Sequence, residues 1–459
     1  MRRVLRGRCR AWVLPTAVAL AAMLRAVPAT PLGPPVTSGT LANGATLLVS
    51  EQRNLPLVLV RVVLDAGARR DPAGRSGVAN LTAELLTEGT AKRSAEQIKE
   101  AIDFIGGSLS VGAEQDYALA ALQVLRKDLD SGLELLADVL LHPAFKAEEV
   151  ARRREAVLAA IRAEEDDPTS VAQKAFQRAL YGDTPYGHPV EGTAETVARL
   201  ARRDVQAFYG QYYGPSGAAV VVVGDISADE ARQALDRVFG GWRGTSAPPF
   251  AYPPIPEHGA EKVRIERPVT QAAIVLGHLG IARDNPDYEA ISVMNYILGG
   301  GGFSSRLMEA IRTKAGLAYS VGSAFAAGKS PGPFEIVMQT KNASVHDAIA
   351  LAREEVAKLR STPVSDGELQ EAQRYLTGSF PLRLDSNAKI ADFIAQCWFY
   401  DLGFDYADVY IQRVSAVTRD DVQRVAKQYL HPEQFIEVVV TAAESGAPEP
   451  PSAPPANRP

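Results

Sequence analysis

The apolar positions of this chain switch between two-residue and helical spacing, and they do so twice in the same order. LANGATLLVSEQ (41–52) reads as strand, Asn43-Gly44 turn and strand, and LPLVLVRVVLDAG (55–67) as a long β-rich run. SGVANLTAELLTEGT (76–90) puts Val78, Leu81, Leu85 and Leu86 at helical spacing. SAEQIKEAIDFIGG (94–107) predicts a helix with Ser94 as N-cap, Gln97 three residues on and a glycine stop. Alternating strands follow in 108–125, amphipathic helices in 126–179, a buried strand in AAVVVVGDI (218–226) and one further helix.

The second half repeats the plan. QAAIVLGHLGI (271–281) predicts a strand, DYEAISVMNYILGG (287–300) and SSRLMEAIRTKAG (304–316) two helices, and LAYSVGSAFAAG (317–328) and PFEIVMQT (333–340) two strands. A helix over 345–361 and the strand FIEVVVTA (435–442) complete it. The fold class predicted is α+β: two homologous α/β-roll halves, 36–240 and 263–442, each a mixed or antiparallel sheet with packed helices. GWRGTSAPPFAYPPIPEHGAEK (241–262) is rich in Pro and Gly, breaks both periods and reads as a linker; 443–459 reads as a disordered tail.

The first 29 residues differ from the rest. Five arginines precede an apolar run from Ala11 to Leu24, then small residues up to Ala29, and no acidic residue occurs before Glu51. This is the pattern of a secretory signal peptide cleaved near Ala29, which predicts a periplasmic protein; the run is short for a membrane anchor and contains Pro15. Without it the chain keeps 43 basic against 54 acidic side chains, a formal net charge of −11. That balance, with Arg152-Arg153-Arg154 read as one solvated helix face, disfavours nucleic acid. Cys9 leaves with the leader, so Cys397, read as a core residue, has no partner for a disulfide.

A zinc hydrolase needs three protein ligands, an open position for water and a carboxylate to take the water's proton. Two histidines four apart with a glutamate between them supply most of this from one helix face, and H-x-x-E-H is the inverted form. Residues 77–90 keep Gly77-x-Ala79 and Gly89-Thr90, and in that frame they resemble the zinc segment of the pitrilysin/insulinase-type peptidases, G-x-A-H-x-x-E-H-x-x-x-x-G-T. Within it, Asn80 stands at the first histidine position, Ala83 at the general-base position and Glu84 at the second histidine position. Asn80 and Glu84 are hard oxygen donors, suited to calcium or magnesium rather than zinc, and too few for either. The six histidines are scattered, with no pair at ligand spacing, and no G-x-S-x-G occurs. Gly299 to Gly302 lacks the Lys-Ser/Thr of a phosphate loop and reads as a tight helix ending.

The segment GGGGFSSRLMEAIRTKAGLAYSV (299–321), with the frame at 77–90, LYGDTPYGHPVEGT (180–193) and RDNPDYEAISVMNYILGGG (283–301), resembles the pitrilysin/insulinase-type zinc peptidases from about residue 38 to 440. Thr184 departs from the histidine often seen there. The resemblance implies a third metal-ligand position at Ala160, also lost, so no metal or other cofactor is expected in this chain. It implies catalytic roles for Arg312 and Tyr319, the arginine near a helix end and the tyrosine seven residues later that reach a zinc site in such enzymes. A guanidinium or phenol aimed at a carbonyl oxygen stabilises the charge built there. The turn between them is expected to let both face one cavity. By spacing alone, Arg312 also serves a helix dipole and Tyr319 strand packing.

The function implied is that of the zinc-less subunit of a heterodimeric peptidase, acting on short or unfolded peptides, with zinc held by a homologous H-x-x-E-H partner chain. The alternatives are a structural or peptide-binding protein of the same fold, as in the zinc-less core subunits of respiratory complexes, and an autonomous hydrolase with another metal.

Overall fold

A computed structural model describes residues 31–244, 248–256 and 259–443. The leader, residues 444–459 of the tail, Cys9 and His258 lie outside the described residues.

The described strands form two sheets. The first contains β1 (Thr37–Thr40), β2 (Thr46–Glu51), β3 (Leu57–Leu64), β4 (Ser108–Ala113), β5 (Ala118–Leu125) and β6 (Ala219–Gly224), in the order β1-β2-β6-β3-β5-β4. The second contains β7 (Glu261–Glu266), β8 (Gln271–Leu279), β9 (Ala318–Phe325), β10 (Pro333–Lys341) and β11 (Ile436–Thr441), in the order β7-β11-β8-β10-β9. With β1 set aside, the two orders are one topology. Its first pair is parallel (β2 with β6, β7 with β11) and the rest are antiparallel. The duplication read from the sequence is therefore a duplication of strand order.

Local signals act as read. Gly44, at φ 90°, closes the β1–β2 turn, and Ser94 and Gln97 form a reciprocal capping box on the helix Ala95–Phe104. Cys397 is buried, and β6 is buried along its whole length.

Each half is completed by a helix from the other. The helix Pro168–Tyr181, in the first half of the chain, packs Ala172, Phe176 and Leu180 against Ala273, Val275, Ile436, Val438 and Val440 of the second sheet. The helix Asn387–Phe399 returns the exchange, laying Ile390, Ala391, Ile394 and Ala395 on Leu48, Val63, Val221 and Val223 of the first sheet. Arg61 of β3, nearly buried, donates Nε to Asp392 Oδ1 of that helix at 2.8 Å. A strand like β3 tolerates an internal arginine because the crossing helix brings its carboxylate.

The described residues of the predicted linker are tied to the first half. Trp242 is buried in the first core and donates Nε1 to the Tyr213 carbonyl at 2.8 Å. Phe250 lies 4.8 Å from the Arg69 guanidinium, and Tyr252 bonds the same side chain. Strand β7 begins at Glu261, two residues before the predicted start of the second half. Apolar side chains among the prolines hold the described residues of this stretch against the first half.

Candidate functional site

The zinc-motif frame is intact as structure. Asp71 accepts from Gly77 N at 2.6 Å and Ala79 N at 2.8 Å, capping the helix Val78–Leu85, and Gly77 takes φ 92° at its start. Burial raises the Asp71 carboxyl to about 8, against those two amide bonds.

Its chemistry is changed. Asn80 Nδ2 donates to Glu84 Oε1 at 3.3 Å, so the two residues at the histidine positions satisfy one another. Ala83 is fully buried and has nothing to take a proton. Arg153, from the helix Ala147–Glu164, brings Nε to 3.8 Å from Glu84 Oε2 and also bonds Glu88. Burial raises the Glu84 carboxyl above its ordinary value, with Arg153 and Asn80 opposing. Ala160, at the third position, is exposed and carries no donor atom. An amide, one carboxylate and an adjacent guanidinium do not fit zinc, which takes thiolate, imidazole or carboxylate donors and is repelled by a fixed cation. Among the described residues no cluster of three or more His, Cys, Asp and Glu side chains could hold a metal. The arginine run is also not one solvated face: Arg153 serves Glu84 and Glu88, and Arg154 Nη1 donates to the Leu200 carbonyl at 3.1 Å.

The other candidate residues are brought together. Helix Tyr288–Asn295 continues into a π-helical stretch, Tyr296–Gly300, where a Cβ on Gly299 would come within 2.6 Å of Ser323 N. The glycine run thus lets the helix end lie against β9, where Asn295 Nδ2 donates to Ser323 O at 3.0 Å and Ser323 Oγ donates to Asn295 Oδ1 at 2.7 Å. A second π-helical stretch, Met308–Lys314, carries Arg312, and Gly316, at φ 65°, turns the chain out of it into β9. Such widened turns recur at functional sites because they shift side chains off the α-helical register.

Strand β9 is the edge of its sheet, paired only with β10. Ser320 pairs with Gln339 and Ala318 with Thr340, which leaves Tyr319 as the extra residue of a β-bulge. A bulge re-aims a side chain out of the normal alternation. Tyr319 is 75% exposed, and its ring centroid lies 4.9 Å from the Arg312 guanidinium. Phe303, 73% exposed, covers the guanidinium from another ring at 4.7 Å. Phe303 was not singled out from the sequence, and only its place in the glycine-rich segment could have drawn attention to it. The two rings stand exposed at the surface, with Arg312 half-buried beside them.

The geometry defines a duplicated α+β fold with an arginine–aromatic cluster in its second half and, at residues 80–84 of its first, side chains that do not suit zinc. Comparisons with known proteins agree. The model of the insulinase peptidase family (M16) matches residues 47–194, and that of the M16 inactive domain matches residues 199–376. An uncharacterized zinc protease of Streptomyces coelicolor is 30% identical over 401 residues, 85% of this chain and 86% of the relative. The crystal structure of a peptidase M16 inactive domain from Pseudomonas fluorescens superimposes with TM-score 0.85 at 30% identity, covering 90% of this chain and all of that one. A Helicobacter pylori protease shares the fold, with TM-score 0.82 at 22% identity over 89% of this chain and all of that one. The chain belongs to the M16, or pitrilysin/insulinase-type, peptidase family.

Proposed function

We propose that this chain is the zinc-less subunit of a periplasmic heterodimeric metallopeptidase that degrades short or unfolded peptides. The observation that carries the reading is the Phe303–Arg312–Tyr319 cluster, a half-buried guanidinium 4.7 and 4.9 Å from two exposed rings. Fixed cations on a monomer surface are usually left free to move in water; this one is oriented beside a strand edge. The partner, a homologous chain with an intact H-x-x-E-H, would supply the metal-activated water and the general base.

The roles of this chain's residues follow from their chemistry. The Arg312 guanidinium donates to a peptide carbonyl, or to the oxygen on which negative charge grows as that carbonyl is attacked. Tyr319 Oη is a second donor, and its ring and that of Phe303 both lie against the guanidinium. The free edge of β9 offers backbone groups to an extended peptide, which gives binding tolerant of sequence. The leader at residues 1–29 supports export. Peptide hydrolysis by an H-x-x-E-H chain of the same source, with and without this chain, tests the reading.

A further inference from the structure

A second feature lies wholly within this chain and does not depend on a partner. Where the halves meet, between the β4–β5 turn (114–117) and the β9–β10 turn (326–332), is a cavity of about 600 Å³. Its wall includes Phe176 and Tyr181 of the exchanged helix, Phe325, Tyr400, Arg283 and Glu335.

Several of its polar groups are committed. Asp116 accepts from Tyr186 Oη at 2.7 Å, Lys329 N at 3.1 Å and Tyr400 Oη at 3.5 Å. Tyr181 Oη donates to the Pro331 carbonyl at 3.0 Å. Glu114, also on the wall, is exposed to solvent, and two half-buried charged groups, Glu335 and Arg283, have no ion-pair partner among the described residues. Glu335 is half-buried, shares a sheet face with its cross-strand neighbours Gly277 and Ala324, and has no hydrogen bond or ion pair among the described residues. Burial raises its carboxyl to about 7. The Arg283 guanidinium lies 3.7 Å from the ring centroid of Tyr288 and 4.9 Å from that of Tyr406, with no carboxylate at ion-pair distance among the described residues.

A partly desolvated charge without a counter-charge is costly, and this cavity holds a guanidinium with no carboxylate partner and a carboxyl that burial drives toward its neutral form. A ligand carrying both opposite charges would offset both costs. The surrounding rings offer π faces to an ammonium group and apolar area to a side chain, and the volume is that of a small-molecule site. We propose that the cavity binds a small zwitterion, a free amino acid or short peptide, with its ammonium on Glu335 and its carboxylate on Arg283.

Isothermal titration of the purified mature chain tests this with leucine, Leu-Gly and Leu-Gly-Gly, each against its N-acetylated and C-amidated form. Binding of at least one zwitterion is expected, with either cap weakening it by about tenfold or more, the loss of one charge-assisted contact. Glu335→Gln should lose discrimination at the amino end, and Arg283→Gln at the carboxyl end. Equal binding of capped and free forms, or no binding of any zwitterion at millimolar concentration, overturns the proposal. The capped series uses the unaltered chain, so the result does not depend on either variant folding.

Discussion

Arg312 lies 4.9 Å from the ring of Tyr319, and the contact exists because Tyr319 is the unpaired residue of a bulge in the edge strand β9. Regular alternation would assign Tyr319 to a paired position. The extra residue frees its side chain to meet the arginine leaving the preceding π-helical stretch.

The cluster predicts a hierarchy of substitutions. Arg312→Lys keeps the charge but loses the planar fork, so it should fall nearly as far as Arg312→Ala, by about 10²–10³ in kcat of the proposed two-chain enzyme. Phe303→Ala should cost less, about fivefold, because it removes only a cation–π contact worth about 1 kcal/mol. Rates are to be measured alongside assembly by size-exclusion chromatography. A lysine variant with full activity would show that charge alone suffices.

The first half should take up no zinc. Asn80 and Glu84 bond to each other, and Arg153 stands 3.8 Å from the Glu84 carboxylate. After incubation with zinc and dialysis, elemental analysis of the mature chain should find far less than one equivalent. One tightly held equivalent would contradict the reading of 80–84 as a disabled site.

The exchanged helices predict that the halves unfold together. Phe176 is fully buried against the second sheet although it belongs to the first half of the chain. Phe176→Ala should cost about 3–5 kcal/mol, the usual range for emptying such a site, and should shift one common transition. Calorimetry showing two transitions, only one of them moved, would mean that the halves are independent.

Much of this was legible in the sequence, and the remainder divides by physical cause. Capping at Ser94, the Asn43-Gly44 turn and the alternating strands are local, so residue type and period reveal them. The approach of Arg312 to Tyr319 was implied by the family resemblance, and the glycine-punctuated turn between helix and strand permits it. The bulge was not, because it is a register mismatch between two strands and has no signature in either. Helical spacing in 168–181 shows that an apolar face exists, not which sheet it meets. Arg153 was read as solvated because nothing in a run of arginines shows which one a distant Glu84 will attract.

Acid should weaken the second half through His278. This ring is 4% exposed, bonds the Leu279 carbonyl through Nδ1 at 2.8 Å, and accepts at Nε2 from His431 N at 3.1 Å. Burial lowers its pKa from 6.5 to about 4. The folded state therefore binds fewer protons than the unfolded chain between these values. The stability it contributes is complete above pH 6.5 and is lost as pH falls toward 4. The loss by pH 4.5 should be about 2–3 kcal/mol in urea titrations. His278→Gln should flatten the slope in that window; an unchanged slope would place the sensitivity elsewhere.

The most direct measurement is peptide hydrolysis by a co-encoded H-x-x-E-H chain, alone and mixed with the mature form of this one. Activity should appear in the mixture, be absent from either chain alone, and vanish with Arg312→Ala while the complex still forms. If this chain leaves the partner's rate unchanged, or if Arg312→Ala is fully active in the complex, Arg312 and Tyr319 do not complete a shared site, and a structural or peptide-binding role takes its place.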